Sequence, residues 1–564
     1  MRQDDAVPFA LFAPYNEYVA LAGDWNNWQP IEMERGEDGW WRTSVPLEDG
    51  EHEYKFLVKS NSYFAEGKIV EIADPRAARV TPDTYENACV LVKDGKPTVT
   101  TYTWRHDDVP LPQNVDLVIY EMHIGDYRGG PGDEDAGRGT FRSAAGKLDY
   151  LADLGINAVE LMPVTEFPGD QGWGYLPRSL FAVENSYGSP DDLCYFIDEC
   201  HARGMRVILD GVYNHGEDST PLAQIDYTYW YYRTNPDKPD VQWGPKFNYE
   251  FHDDKLDVWP ARAYVRDGIL YWIDHYHIDG IRFDATAIID NYDVLGWLRR
   301  EIRQYVDDIK PFFAIAEHVP EDPTVAGMQG PMDAAWHESF SKQIMCTILG
   351  KDAHGQQPFN LDNIARTLNP RQEGYQSSYN VINYIDNHDQ DRILWQLGQV
   401  GILDDPAFRR VKMGATLLLT APGIPLIWMG QELGESHQKT LERQPIDWSL
   451  LQNQRNADLE RFYCSLIALR KDAPALRSDT VEVFHVDRDR AILAFKRWTD
   501  EGNIVVTVAN LKDQYAGDIE IGNWPGDGSW HEYTDNYDID VQGGILHDKL
   551  AESEVKIYVT GMPS

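Results

Sequence analysis

Four short apolar segments of this chain run into polar residues that could do chemistry. Val207-Ile208-Leu209 leads to Asp210, with Asn214 and His215 just beyond, and Gly280-Ile281-Arg282-Phe283 ends at Asp284. Ala314-Ile315-Ala316 ends at Glu317, and Tyr384-Ile385-Asp386 leads to Asn387, His388 and Asp389. A short apolar run closed by an acid reads as a buried strand whose last residue reaches a site. Carboxyl groups crowded together raise one another's pKa, and a nearby guanidinium lowers them. Arg282 stands two residues before Asp284, so on a strand both point the same way, and Arg282 is expected to hold Asp284 ionised. Glu317 follows apolar Ile315 and Ala316 and is expected to keep its proton. One ionised and one protonated carboxyl on different strands is the pair that cleaves a glycosidic bond. Any one of these acids alone reads as well as a helix cap or an ion pair; the inference rests on all four segments together.

The elements that must carry them follow a pattern. Eight apolar segments begin near Leu117, Ala158, Arg206, Gly280, Phe312, Asp333, Asn380 and Ile424. Helical stripes lie between several of them. Leu148, Leu151 and Leu154 precede Gly155, and Ser189-Pro190 with Asp192 spells a capped helix start before Leu193, Phe196, Ile197 and Cys200. Strands alternating with helices predict an α/β fold, a (β/α)8 barrel over residues 106–475, with polar residues at the C-terminal ends of its strands. Residues 1–105 and 476–564 read as short strands between Gly and Asn turns, and so as N-terminal and C-terminal β-sandwich domains. Residues 103–113 read as a linker. A stretch of about 216–260, rich in Tyr and Trp, reads as an inserted loop forming a cleft wall.

Composition limits the partners. The 564 residues carry a formal charge of −41, which argues against nucleic acid or an anionic membrane and suits a neutral substrate. The five cysteines are scattered, with no Cys-x-x-Cys pair, as in a reducing compartment. The first residues lack the apolar core of a signal peptide, and no run of about 18 apolar residues occurs, so a cytoplasmic protein is expected. Oligomeric state is not legible.

Two sets of motifs carry a family resemblance. Gly23-Asp24-Trp25-Asn26-Asn27-Trp28 resembles the family 48 carbohydrate-binding module found before isoamylases and branching enzymes. Its two tryptophans are expected to dock the sandwich on the next domain rather than to bind sugar. The four polar segments, in order, resemble the signature of the α-amylase superfamily, glycoside hydrolase family 13, with Asp210–His215, Gly280–Asp284, Ala316–His318 and Asn387–Asp389 as its four regions. The resemblance implies an α-glucan or maltooligosaccharide substrate and a β-glucosyl-enzyme formed on Asp284. It implies Glu317 as general acid and then base, and Asp389 as a binder of sugar hydroxyls. Arg282 would orient Asp284, His215 and His388 would bond the reacting sugar with support from Asp210, Tyr175 would stack on it, and Trp173 would extend the cleft. A retaining mechanism implies the two reacting carboxyls about 5–5.5 Å apart. Asn214 binds calcium in many amylases, but members with this N-terminal module often lack the ion, so no metal or other cofactor is expected. Asn387-His388-Asp389-Gln390 lies nearer to maltooligosyltrehalose trehalohydrolases than to branching enzymes, whereas Asp391-Arg392 replaces the Gly-Asn of the former. The implied activity is α-glucan hydrolysis. Branching, trehalohydrolase action and a non-catalytic glucan binder stand as alternatives.

Overall fold

The computed structural model describes residues 6–82, 86–169, 172–234, 243–306, 310–351 and 360–560. At its centre eight parallel strands close into a barrel in sequence order. They are Ile119–Met122, Ala158–Leu161, Arg206–Gly211, Gly280–Phe283, Phe313–Ala316, Ala334–Trp336, Val381–Asn383 and Ile424–Trp428. All eight are buried throughout, because helices cover their outer face and one another's side chains fill the lumen. Leu117, Ile119, Ile208, Ile315, Trp336 and Leu426 belong to that inner cluster.

The expected helices form where their punctuation stands. Pro190–Ala202 starts at a capping box in which Ser189 and Asp192 satisfy each other's backbone N–H. Leu193, Phe196, Ile197 and Cys200 are fully buried. Leu148–Leu154 ends at Gly155, whose φ of 97° is a conformation that a Cβ disfavours. Gln454–Asp472 closes the barrel and buries Leu459, Leu466 and Leu469.

The N-terminal strands form a three-stranded sheet and a seven-stranded sheet, and the C-terminal ones a six-stranded and a two-stranded sheet. The segment read as a linker is strapped to the barrel instead of hanging free. Trp104 stacks on His277 at 4.0 Å, and Tyr102 and Arg105 both bond buried Asp198. The insertion is not all loop either, since Pro221–Trp230 is helical; residues 235–242 lie outside the described ones.

The N-terminal sandwich docks on that helix and on Pro260–Tyr276, through Arg76–Asp267 and the bond from the Tyr264 hydroxyl to Pro75 O, and Trp25 and Trp28 make none of these contacts. Trp25 packs on Phe9 and His52 of its own sandwich, and Trp28 is exposed. Docking runs through Asn16, whose Nδ2 donates to the carbonyls of Lys59 (2.9 Å) and Ile225 (3.0 Å), and through Ser60 and Ser62 on the same helix. Phe12 lies against Tyr229 and Trp230. The expectation failed because Trp content says nothing about direction: Asp24–Asn26 form a short 3-10 helix at one end of the strand Val19–Gly23, whereas Asn16 and Ser60 lie at its other end.

Candidate active site

Parallel pairing sets the two central acids side by side. Phe283 on the fourth strand pairs with Ala316 on the fifth, so the next residues, Asp284 and Glu317, leave the barrel at the same level. Glu317 N–H donates to Phe283 O at 3.0 Å. Ala285 then turns into the left-handed region (φ 49°), which costs a non-glycine residue energy and occurs where surroundings enforce it. The turn aims Ala285 N–H at Glu317 Oε2, 2.6 Å away, and so fixes one carboxylate oxygen of Glu317 from the backbone beside Asp284.

Arg282 lies beneath, fully buried. Its Nη1 donates to both oxygens of Asp210 (2.6 and 2.7 Å) and to Asp284 Oδ1 (2.9 Å), while its guanidinium lies 4.3 Å over the Trp336 ring. Asp210 also accepts from the Tyr175 hydroxyl. His215 was expected to bond a sugar, but both its ring nitrogens are engaged within the protein. Nε2 donates to Tyr175 O at 2.9 Å, and Nδ1 faces Asn214 Nδ2 at 3.2 Å. Burial lowers its pKa to about 4, so the ring is neutral and its tautomer is fixed by that bond. Exposed Trp243 stands 5.5 Å from it.

The third acid is set by His388, which was expected to bond the sugar but has both ring nitrogens engaged within the protein, and by Glu121 and Lys439, which sequence reading passed over. His388 stacks on Tyr175 (5.1 Å, 17°), bonds Glu121 Oε1 through Nδ1 (2.6 Å) and reaches Asp389 Oδ2 through Nε2 (3.3 Å). Burial disfavours its charge, but the two carboxylates prevail and lift its pKa to about 10. Lys439, in the loop after the eighth strand, donates from Nζ to Asp389 Oδ1 and Asp389 O, both at 3.0 Å. Burial opposes ionisation of Asp389, yet His388 and Lys439 hold it well below the usual carboxylate range. Trp173 edges onto His388 at 5.5 Å. Glu121 was visible as an acid in an otherwise apolar first strand; Lys439 had no sequence signal.

The electrostatics correct one expectation. Asp284 is not held in the ordinary carboxylate range by Arg282. Burial outweighs the guanidinium and raises the carboxyl, with Asp210 and Glu317 adding repulsion. Arg282 is shared among three acids and cannot neutralise all of them. Glu317 is raised as well, first by burial. The adjacent pair therefore keeps a proton near neutral pH. Arg282 bonds Asp284 and not Glu317, which favours the charge on Asp284 and the proton on Glu317.

Asn214, the calcium position of the resembled family, keeps its Oδ1 buried without a partner. Among the described residues, the one grouping of His, Cys, Asp or Glu tight enough for an ion is Glu321–His337–Glu373. His337 has no lone pair to offer there. Its Nδ1 bonds Asn383 Oδ1 and its Nε2 bonds Glu373 Oε2, both at 2.7 Å, and despite burial the acids raise its pKa, as suits a charged ring with two donors.

The family profile described as "Alpha amylase, catalytic domain" matches residues 124–464, and that of carbohydrate-binding module 48 (isoamylase N-terminal domain) matches residues 1–77. A malto-oligosyltrehalose trehalohydrolase of Saccharolobus solfataricus is 28% identical over 83% of this chain and 86% of its own. A 1,4-alpha-glucan branching enzyme of Photobacterium profundum is 27% identical over 90% of this chain and 73% of its own. The fold is shared with pullulanase type I from Bacillus subtilis, solved with maltose, at a TM-score of 0.79 and 20% identity, over 98% of this chain and 85% of that one.

Proposed function

Since the chain belongs to the α-amylase family, we propose that it is a retaining hydrolase of α-glucans that works through a covalent β-glucosyl-enzyme. The observation that carries this reading is the Asp284–Ala285–Glu317 arrangement, with two adjacent acids of which Arg282 touches one and a backbone N–H the other. In the first step Asp284 attacks the anomeric carbon as Glu317 gives its proton to the departing glycosidic oxygen. In the second, Glu317 takes a proton from water, which attacks the same carbon and releases Asp284. Asp389, kept ionised by His388 and Lys439, accepts from sugar hydroxyls and offsets the positive charge on the ring. Tyr175 provides the stacking face, with Asp210 and His215 holding it, and Trp173 extends the wall. None of the five cysteines is joined in a disulfide, which supports a reducing compartment.

A second reading is transfer of the glucosyl group to a sugar hydroxyl, favoured by the likeness to a branching enzyme. A time course on amylose and on maltohexaose, followed by NMR, separates the two. Rising reducing ends without α-1,6 signals support hydrolysis; new α-1,6 signals at constant reducing ends mean branching. Asp284→Asn is expected to lower turnover by roughly ten thousandfold or more while leaving glucan binding intact. A wild-type protein that binds every glucan and turns over none would refute both readings.

A further inference from the structure

The direction of the bond to be broken fixes where the rest of the glucan must lie. The reacting acids stand at the ends of the fourth and fifth strands, and the stacking face is made by Tyr175 and His388, from the second-strand loop and the seventh. A ring on that face with its anomeric carbon at Asp284 turns its far, non-reducing end toward the loops after the eighth, first and second strands. In a closed barrel the eighth and first lie opposite the fourth and fifth, with the second beside the first.

That end of the cleft is barred. Lys439 reaches from the eighth loop to Asp389, and its ammonium also lies 5.1 Å over the Trp173 ring of the second-strand loop. Its own N–H donates to Asp391 Oδ1 at 2.7 Å, which pins the loop from which it reaches. Between this bar and the first strand lies a recess of about 30 Å³, walled by Trp173, His388, Arg392 and Lys439. Arg392 helps to wall it, its guanidinium lying 4.9 Å over the Trp428 ring. Beyond it, sharing His123 and Asp126 as a wall, lies a cavity of about 210 Å³ lined also by Arg138, Leu441, Glu442 and Arg443. It is large enough for one more hexose ring, and none of Asp284, Glu317 and Asp389 lines it.

We infer that Lys439 is a specificity-determining residue that, with Trp173, stops the glucan at the reacting ring, so that the enzyme takes the non-reducing end of a chain and releases one glucosyl unit at a time. This rests on the hydrolase reading above and deepens it: the substrate class is chain ends rather than chain interiors.

The test pairs 4-nitrophenyl maltoheptaoside with the same compound blocked at its non-reducing end by a 4,6-ethylidene group. Products are resolved by anion-exchange chromatography. The wild type is expected to release glucose from the free chain and to act on the blocked one roughly a hundredfold more slowly. Lys439→Ala and the uncharged, unbranched Lys439→Met are expected to narrow that ratio to within roughly tenfold and to add maltose to the first products, as the 210 Å³ cavity opens to a second ring. Lys439→Arg, which keeps a cation over Trp173, is expected to keep the block. Wild-type cleavage of both substrates at similar rates overturns the inference and leaves the hydrolase reading standing. An unchanged ratio and unchanged first products in correctly folded Ala and Met variants overturn it too. Turnover of neither substrate by the wild type refutes the hydrolase reading, and the inference with it.

Discussion

Asp284, Glu317 and Asp389 are three carboxylic acids within one cleft, and their surroundings drive them apart. Asp389 meets two cations and is held ionised. Asp284 and Glu317 share one buried guanidinium with Asp210 and are raised. A nucleophile must be ionised, so the acid limb of kcat/KM against pH is expected above the ordinary carboxylate range of about 4. Below its midpoint both members of the pair are protonated and attack stops. A limb centred near pH 4 would mean that Arg282 prevails over burial after all. Glu121 tests the other side of the site. Glu121→Gln keeps the shape of the contact to His388 Nδ1 but removes one of the two charges holding that ring protonated. His388 is then expected to titrate below about 10, and with Asp389 less firmly placed kcat/KM falls by roughly a hundredfold. NMR titration of His388 separates this from plain destabilisation, since a purely structural role would leave its pKa unmoved.

At the scale of elements, the sixth and seventh strands are tied at their ends by a charge buried among helices. His337 follows Ala334–Trp336 and joins Asn383, the last residue of the seventh strand, to Glu373. Because its pKa is raised on folding, its contribution to stability is fully present below the unfolded value of about 6.5 and is lost as pH rises through the folded one. His337→Gln is expected to lower stability by about 3 kcal/mol at pH 6 and by less at pH 9.5, read by chemical denaturation at both. A penalty that stays constant across pH would show that the ring packs as a neutral group. Trp336, next in the chain, carries the effect toward the site, because Arg282 lies over its ring.

The whole molecule carries −41 formal charges on 564 residues, so surface repulsion opposes compactness. Raising KCl from about 0.05 to 0.5 M shortens the Debye length severalfold and is expected to raise Tm by about 2–4 °C. A fall would mean that ion pairs such as Arg371–Asp479 and Arg488–Asp362, which fasten the C-terminal strands to the barrel, outweigh the general repulsion. The barrel and the two flanking β domains were legible in the chain. Each depends on local periodicity, on caps such as Ser189–Asp192 and on strand register, which short segments specify by themselves. How the N-terminal sandwich docks was not legible. Asn16 and Ser62 are ordinary polar residues until a helix some 200 positions away presents its carbonyls to them.

The acids and their strand order were thus fixed by sequence, because a strand of alternating faces that ends in an acid has few other places to put it. Their protonation, the part played by His215, the clamp of Glu121 and Lys439 on His388 and Asp389, and the closed end of the cleft were decided only in three dimensions. Each is a balance of burial against neighbours that come from loops far apart in the chain, and no local pattern encodes which of those neighbours will arrive.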